Sequence, residues 1–412
     1  MSSIARAISY PRWTKRSLRM ENRRIILMTP GPTEVSFDVL GAMIKPNLEM
    51  HDHRVLKAYD ETTMMLSKVY QTKDHIIILP GSGRTGMEAS VASLLEHGDK
   101  VLSVVSGFFG ELWVKIFDRL GIESIQVKFP WGKPVDIKAV KDALRRNKEI
   151  KALAAIHCET STGAVAQVEE LGEIAKKYGI LYLVDAISSL GGMEMRMDDW
   201  NIDVCLAASQ KCLGAILGLA IIALSEKSFE VMEKRKKPPP SFVYDLLRWK
   251  EKGWFKKNKP VPRAYPIYPN PNLIFALHEA CESVLEEGLE KRYERHRIAR
   301  DATVAGLNAI GLDLFPDKDI ASNTVSVVHT KNGTGEKIKK IMYEKYGILI
   351  QGSIIPELKG KVIRIGHQNL TASAEYVLPT ISAIELTLKD LNYDIKLGNG
   401  VKAAKEVFDH ER

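Results

Sequence analysis

The chain has 412 residues, of which 45% are hydrophobic and 27% are charged, and its formal net charge is +8. A chain of this length can bury a large core, and the composition excludes a disordered or collagen-like protein. Five of the eight excess positive charges lie in residues 1–20, which contain no acidic residue. Such a basic arm is typical of an organelle transit peptide and of a disordered terminus, so both interpretations stay open.

Cysteine usage and hydropathy indicate the compartment and the type of site. The 4 cysteines lie far apart or in apolar runs, without a CxxC pair or a Cys/His group at metal-ligand spacing. The longest apolar stretch, residues 213–224, is shorter than the ~20 residues that cross a bilayer. We therefore expect a cytoplasmic protein in a reducing compartment, with no membrane association and no metal site. The alternative is transport into an organelle through the basic arm.

Short apolar and β-branched runs alternate with amphipathic segments, which is the pattern of strands joined by crossover helices in a mostly parallel sheet. The predicted strands occupy residues 75–79, 101–105, 124–129, 152–157, 180–184, 203–208 and 219–224. Apolar residues recur at three- and four-residue spacing in residues 87–95, 137–146 and 169–178, which predicts helices between strands. The predicted fold class is α/β, with a seven-stranded sheet.

The pattern changes after residue 233. Prolines and lysines dominate residues 234–271, and a single long helix is predicted from Leu273 to Leu307. The rest of the chain has the pattern of a smaller α+β lobe. We therefore predict a flexible basic arm (1–27), a large domain (28–290) and a small C-terminal domain (291–412).

The first candidate site is the sequence PGSGRTG at residues 80–86, which follows one predicted strand and begins a helix. Free backbone N–H groups and the positive end of a helix dipole make such a turn suitable for a phosphate. Gly81, Gly83 and Gly86 also match a dinucleotide fingerprint, but the next strand ends in Ser106 and Gly107 rather than in the acid that would bind a ribose. This favours a phosphate monoester, with a tight turn that binds nothing as the structural alternative.

Two further candidates follow later strands. Asp185 ends the run ILYLVD, and Lys211 ends the run DVCLAASQK, so both side chains are expected at the carboxyl edge of the sheet. Pyridoxal phosphate chemistry requires this pair, because a lysine must bind the cofactor aldehyde and a carboxylate must keep the pyridine nitrogen protonated. A solvated lysine or a capping aspartate explains each residue taken singly. The phosphate turn, the acid and the lysine in this order favour the cofactor.

With these motifs in place, the chain resembles the class V, fold-type I aminotransferases of the alanine–glyoxylate and serine–pyruvate group. The similarity extends from MTPGPT at residues 28–33 to KVIRIGH at residues 361–367. The resemblance implies pyridoxal 5′-phosphate as the cofactor, a large and a small domain, and a homodimer with shared active sites. It also implies small amino acids and 2-oxoacids as substrates, and it does not favour a nucleic-acid partner.

The resemblance assigns roles to residues that match the family's motifs. Lys211 binds the cofactor aldehyde and Asp185 pairs with the pyridine nitrogen. The remaining assignments are Ser82, Gly83 and Gln210 at the phosphate, Thr160 near the ring's phenolic oxygen, Gly31 in the substrate pocket and Arg364 at the substrate carboxylate. A guanidinium fork suits the last task because it binds a carboxylate through two parallel hydrogen bonds.

Several positions depart from the family pattern or stay open. Phe109 lies where relatives often have a tryptophan stacked on the ring, and phenylalanine stacks with less area. Tyr265 matches a tyrosine that reaches the partner subunit's phosphate, whereas Tyr268 replaces a usual threonine. Arg84 is predicted either to bind the phosphate or to face solvent, and His157 is read equally as a core histidine and as a catalytic one.

The predicted activity is ping-pong transamination, with alanine or serine as donor and glyoxylate or pyruvate as acceptor. A pyridoxamine–pyruvate-type aminotransferase is the alternative, because the segments NKPVPRAYP and KLGNGVKAAKEVF are similar to that group as well. The intact GSG turn favours a phosphorylated cofactor. A non-catalytic scaffold or a basic interaction protein is disfavoured, since both Asp185 and Lys211 are present.

Overall fold

The computed structural model describes residues 24–255 and 264–411. Most of the predicted basic arm, and part of the segment at residues 234–271 that is rich in proline and lysine, lie outside these residues. Ile26 and Leu27, the last described residues of the arm, form a short strand. The described residues contain the following strands: β1 (Ile26–Leu27), β2 (His75–Pro80), β3 (Lys100–Val105), β4 (Glu123–Lys128), β5 (Ile150–Ile156), β6 (Cys158–Glu159), β7 (Ala164–Val165), β8 (Leu181–Asp185), β9 (Val204–Ala208), β10 (Leu219–Leu224), β11 (Val325–His329), β12 (Ile348–Leu349), β13 (Gln351–Gly352) and β14 (Val362–Gly366).

The helices pack around these strands. They are α1 (Phe37–Ala42), α2 (His53–Tyr70), α3 (Gly83–Leu94), α4 (Phe108–Arg119), α5 (Ile137–Arg146), α6 (Val168–Tyr178), α7 (Glu226–Glu233), α8 (Leu247–Glu251), α9 (Pro271–Glu287), α10 (Leu289–Asn308), α11 (Gly335–Ile341), α12 (Ala374–Asp390) and α13 (Asn399–His410). The predicted helices of the large lobe correspond to α3, α5 and α6. A single π-helical turn, Met342–Tyr346, follows α11.

The central sheet confirms the predicted α/β fold. Its seven strands have the order β2-β10-β9-β8-β5-β3-β4. Strand β10 is antiparallel to both neighbours, and the other neighbouring pairs are parallel. Strands β8, β9 and β10 consist entirely of buried residues because helices cover both faces of the sheet, whereas every residue of the edge strand β4 is exposed or only partly buried.

A smaller lobe follows the large one. Strands β11, β14 and β13 form an antiparallel sheet, and β1 pairs in parallel with β12, so the first described residues join this lobe. The large hydrophobic core extends from Val39 to Val284, and a second core combines Met28 with residues 299–404. The proposed domain boundary at residue 290 stays a prediction.

The predicted single helix from Leu273 to Leu307 is wrong in one respect. It is divided into α9 and α10 at Gly288, whose φ of +83° lies outside the range of an α-helix. The apolar spacing continues through the break, so periodicity alone did not reveal it. Helix α10 therefore begins at a new angle and runs into the smaller lobe, where it packs against α13.

Within residues 24–255 and 264–411, no helix is both long and apolar enough to cross a membrane. The four cysteines are all buried and free of disulfide bonds. The sequence expectation of a cytoplasmic location stays a prediction.

Gly172 in α6 provides a test of the packing between a crossover helix and the loop before β9. A methyl group at this position would lie 1.8 Å from the carbonyl oxygen of Trp200, whereas a methyl group at Gly41 in α1 would have no atom within 4 Å. We expect Gly172→Ala to lower the free energy of unfolding by about 1–3 kcal/mol through overpacking. Gly41→Ala should raise it by about 0.5–1 kcal/mol, because the unfolded chain loses entropy. Denaturant unfolding measures both, and equal effects would contradict the packing.

Candidate active site

The site lies where parallel strands end. Strands β2, β3, β5, β8 and β9 all finish at the same edge of the sheet, and the loops that follow them surround a cavity of about 260 Å³. Open α/β sheets bind ligands at this edge. The cavity is lined by Gly31, Pro32, Ser82, Gly83, Arg84, Met87, Phe109, Cys158, Thr160, Asp185, Ile187, Ser188, Gln210, Lys211 and Leu217.

One end of the cavity is the amino terminus of α3. Gly81 has a φ of +139°, and a side chain there would meet Thr85 at 2.3 Å, so only glycine permits the turn. The Ser82 N–H donates to the Thr85 hydroxyl at 3.1 Å. The first N–H groups of a helix have no intrahelical acceptor, and here they open on the cavity beside Ser82 and Gly83. This end can therefore bind an anionic group.

Lys211 lies in the loop after β9. Its Nζ donates a hydrogen bond to the carbonyl oxygen of Pro30. Gly31, with a φ of +117°, leaves the space for the lysine stem, since a Cβ there would lie 2.5 Å from Lys211 Cδ. Burial and the positive charge of Arg364 lower the pKa of Lys211 to about 8. The amine can therefore lose its proton close to neutral pH, as a nucleophilic lysine must.

Asp185 ends strand β8 and is 4% exposed. Its Oδ1 accepts a hydrogen bond from the Ile187 N–H at 2.8 Å. Within the described parts of the chain, Oδ2 has no hydrogen-bond donor, so it is available to a donor inside the cavity. Burial raises the pKa of Asp185 to about 7 in the absence of such a donor. A cationic N–H in the cavity would stabilise the carboxylate and lower this pKa.

The hydroxyl groups of Thr160 and Ser188 form one wall of the cavity, the Thr160 wall. The Thr160 hydroxyl lies 2.5 Å from the Ser188 hydroxyl, and both residues are buried. The carbonyl of Ser188 also accepts from the Thr324 hydroxyl at 2.8 Å, which connects this wall to the smaller lobe. Sequence reasoning named Thr160 and missed Ser188, although Ser188 is part of the LVDAISSLGG motif.

Glu159 is a second residue that sequence reasoning missed. It is 1% exposed, and its Oε2 accepts from the N–H groups of Phe109 (3.0 Å) and Gly110 (3.1 Å) in the first turn of α4. Its Oε1 accepts from the N–H (3.1 Å) and the hydroxyl (2.5 Å) of Ser161. Burial raises the pKa of Glu159 despite these donors. The carboxylate thus fixes the backbone of Phe109, whose ring lines the cavity.

Arg364 lies on β14 of the smaller lobe and is 5% exposed. Its Nε donates to the Gly352 carbonyl at 2.8 Å, and Nη1 donates to the Thr160 carbonyl at 3.3 Å. Burial lowers the pKa of Arg364 to about 10, so it stays charged at neutral pH. The residue therefore brings a cation of the smaller lobe next to the Thr160 wall, although it is not among the lining residues.

Tyr265 and Tyr268 do not line the cavity of their own chain. Tyr265 is buried with Trp249 and Trp254, and its ring is 4.3 Å from that of Trp254. Tyr268 is 59% exposed. Their predicted role at the phosphate of a partner subunit stays a prediction.

Arg84 and His157, whose roles the sequence did not decide, have different surroundings. Arg84 lines the cavity and is exposed, so both interpretations of it remain. His157 is buried with its ring 6.0 Å from that of Trp200, and burial lowers its pKa to about 4. A further buried histidine, His367, bonds Asn323 and Ser326, as a core histidine does. Among the residues that the structure describes, no group of His, Cys, Asp and Glu could hold a metal ion.

The chain is similar to known proteins over most of its length. Residues 38–354 match the model of the family described as aminotransferase class-V. An uncharacterized aminotransferase of Methanocaldococcus jannaschii is 38% identical, over 95% of this chain and 99% of its own length. The structure of ureidoglycine-glyoxylate aminotransferase from Bacillus subtilis is similar, with 33% identity, a TM-score of 0.88, and coverage of 94% of this chain and 98% of its own.

A third similar protein has a different named activity. The structure of pyridoxamine-pyruvate aminotransferase from Mesorhizobium loti is 27% identical, with a TM-score of 0.88, and the match covers 95% of this chain and 99% of that one.

The lining residues fit pyridoxal 5′-phosphate, the cofactor on which this family depends. The helix terminus at Ser82 provides N–H groups for a phosphate, and the Asp185 carboxylate has a free oxygen for a pyridinium. The buried Gln210 Oε1 has no hydrogen-bond donor within the described residues, so it too is available to a ligand. Gly31 leaves room for the lysine that must reach an aldehyde.

The raised pKa of Asp185 predicts how the stability of the cofactor-free protein depends on pH. The value rises from 3.8 to about 7 on folding, so this residue stabilises the fold below pH 4 and the contribution disappears as pH rises to about 7. The full effect is on the order of 4 kcal/mol. Asp185→Asn should abolish most of this decrease, as measured by urea unfolding at several pH values.

Asp394→Asn is the control for this measurement, because Asp394 is exposed on the surface of the smaller lobe. It should retain the pH dependence of the wild-type protein. If the stability of Asp185→Asn decreased with pH as steeply as that of the wild-type protein, the raised pKa of this buried carboxyl would be contradicted.

Proposed function

Because the chain belongs to the class V aminotransferases, whose members use pyridoxal 5′-phosphate, we propose that it transfers an amino group from alanine or serine to glyoxylate or pyruvate. The transfer proceeds in two half-reactions at one site, with the first product leaving before the second substrate binds. The observation that carries this assignment is the meeting of Lys211, Asp185 and the amino terminus of α3 at one cavity. The glyoxylate acceptor is supported by the named activity of the similar Bacillus subtilis enzyme.

The lining residues divide the work of holding the cofactor. Ser82, Gly83 and Gln210 would bind its phosphate, with Arg84 at the open side. Phe109, whose backbone is fixed by Glu159, would pack against the ring. Thr160 and Ser188 would provide a hydroxyl for the ring oxygen, and Asp185 would pair with the ring nitrogen. When bound, the cofactor supplies an aldehyde that carries the amino group and a ring that stabilises negative charge at the substrate α-carbon.

Proton movement falls to Lys211. Its amine, with a pKa lowered to about 8, would take the proton from the substrate α-carbon and deliver it to the C4′ carbon of the bound cofactor. The neighbouring charge of Arg364 contributes to this lowered pKa, and it also attracts the substrate carboxylate. One cation therefore both orients the substrate and keeps the base available.

We expect Lys211→Ala to abolish the absorbance band that the bound cofactor gives at about 400–430 nm. Activity should fall by roughly 10⁴-fold or more, since no other lining residue combines an amine with a lowered pKa. Gln210→Ala is the comparison variant: it should weaken cofactor binding but keep the band at saturating cofactor. An unchanged band in Lys211→Ala would exclude this lysine.

The substrates can be identified by a donor and acceptor screen on the purified holoenzyme. Each true donor should remove the band in a first half-reaction, and each true acceptor should restore it after the product is removed. Alanine and serine are the expected donors, with glyoxylate or pyruvate as acceptor. A band that responds only to dicarboxylic amino acids would contradict the proposed substrates.

A pyridoxamine–pyruvate activity is the second candidate, because the Mesorhizobium loti structure with that named activity has a TM-score of 0.88 to this chain. The two activities differ in whether the pyridoxal compound stays on the enzyme. Pyridoxamine and pyruvate added to the protein should release no free pyridoxal if the first proposal holds. Release of free pyridoxal in an amount equal to the pyruvate consumed would favour the second candidate.

We also propose a homodimer. Phe37 (89% exposed), Leu40 (40%) and Ile44 (84%) form an apolar stripe along one side of α1 and the turn after it. Asn272 donates to the carbonyls of Met43 and Lys45, so the stripe adjoins the segment of Tyr265 and Tyr268. A second copy packed on this stripe would cover it and bring those tyrosines toward the partner's cavity.

The double variant Phe37→Glu, Ile44→Glu should convert a dimer into a monomer in light scattering after gel filtration, because it introduces charge into a buried apolar contact. Leu397→Glu is the matched control, since Leu397 is 48% exposed but lies in the smaller lobe. Dissociation by the control alone, or a wild-type monomer, would contradict the proposed interface.

A further inference from the structure

Arg292 of α10 is buried at the joint between the two lobes, with 2% of its side chain exposed. Buried arginines are rare because the guanidinium must leave water, and they persist where several acceptors replace the water. Helix α10 reaches this joint because Gly288 redirects the chain at its start. The residue lies outside the cavity, so it has no part in the chemistry described above.

The guanidinium bonds three different loops of the active site. Nε donates to the Gly191 carbonyl at 2.6 Å, in the loop that follows Asp185. Nη2 donates to the Cys212 carbonyl at 2.6 Å, and Cys212 is the residue next to Lys211. The same nitrogen donates to Asn369 Oδ1 at 2.8 Å, in the loop that follows Arg364 on the smaller lobe.

The charge of Arg292 is held by Glu287, at the end of α9. Nη1 donates to Glu287 Oε2 at 2.5 Å. The rigid fork of the guanidinium suits this arrangement, because its donors point in fixed, coplanar directions toward separate acceptors. A lysine ammonium at the same position would retain the charge but lose the fixed geometry.

Close packing makes these three loops sensitive to small shifts. A methyl group at Gly192 would lie 2.7 Å from Cys212 Sγ, and one at Gly214 would lie 1.9 Å from Asn369 Nδ2. The loops are therefore in direct contact around the guanidinium. Densely packed elements transmit displacement, so a movement of the Cys212 carbonyl also displaces the backbone of Lys211.

We propose that Arg292 is a positioning residue that holds Lys211 and Asp185 in register with each other and with the loop after Arg364. The inference rests on the proposed function, because it assigns these two residues to the cofactor. Through Arg292, a change in the orientation of the smaller lobe would displace the lysine and the aspartate of the larger one. The residue acts through two backbone carbonyls and the Asn369 side chain, and it donates no hydrogen bond to Lys211, Asp185 or Arg364.

The same helix offers a matched control. Arg295 also bonds Glu287, through Nε at 2.5 Å, and it also bonds the Asn369 loop, through Nη1 and the Asn369 carbonyl at 2.7 Å. In the described structure it donates no hydrogen bond to the Gly191 loop or to the Cys212 loop. His296 completes this face, since burial keeps its pKa well below the usual value and its neutral Nε2 accepts the Asn369 N–H at 3.1 Å.

The test compares Arg292→Lys with Arg295→Lys in the holoenzyme. The first readout is the pH midpoint of the cofactor band at about 400–430 nm, which reports the surroundings of Lys211 and Asp185 without turnover. We expect Arg292→Lys to shift this midpoint by roughly half a pH unit or more and to lower kcat by roughly 10- to 100-fold with little change in KM, as a misplaced catalytic group does. Arg295→Lys should lose similar thermal stability and keep the wild-type midpoint and kcat.

An Arg292→Lys protein with the midpoint of Arg295→Lys and a kcat within twofold of it would overturn the proposal and leave Arg292 a purely structural residue. If Arg292→Lys does not fold, Glu287→Gln replaces it, since this variant keeps both arginines and removes the counter-charge that they share, and Arg295→Lys then measures the part that belongs to Arg295. A midpoint shift beyond that of Arg295→Lys is then expected, and its absence overturns the proposal. A wild-type protein without any cofactor band would instead refute the proposed function.

Discussion

Parallel strands end at one edge of a sheet, and this constraint determines where the chemistry of the protein lies. Five strands finish around the same cavity, so residues from Ser82 to Lys211 meet although they are far apart in the chain. The sheet is buried on both faces, which leaves its carboxyl edge as the place where polar side chains can gather. The large-lobe residues that are proposed to hold the cofactor within one subunit end or follow one of these strands. Gly31 is the exception, since it lies in the TPGPT segment at residues 29–33.

Burial gives these gathered groups their chemical character. Lys211 and Asp185 have pKa values displaced toward neutrality because the charged form of each is poorly solvated. Desolvation therefore prepares Lys211 as a base, and it makes the Asp185 carboxylate dependent on a cationic partner in the cavity. Glu159 contributes in a different way: its four hydrogen bonds hold the first turn of α4 and the start of the Thr160 loop in fixed positions.

Most of the large-lobe fold could be predicted from local patterns. Each of the seven predicted strands is present, because β-branched runs bounded by turn residues have few other stable structures. The long helix through Gly288 was wrong, since the apolar spacing continues on both sides of the residue that breaks it. Lys211 and Asp185 could be named because pyridoxal chemistry requires those residue types after strands, whereas Ser82 was named through the resemblance to the family's phosphate turn. Glu159 and Ser188 could not, as a carboxylate or a hydroxyl next to a strand has many possible roles.

The sequence by itself determined the strands and the turn at residues 80–86, and it predicted which lysine and which aspartate lie at the sheet edge, because these depend on neighbours within a few positions. Tertiary structure alone decided which distant groups bond each other. Arg292 lies 101 residues from Gly191 and 80 from Cys212, and no local pattern distinguishes it from the partly exposed arginines of the same helix. Its burial follows from the angle at which α10 leaves Gly288 and from the packing of two lobes, and both arise only when the whole chain is folded.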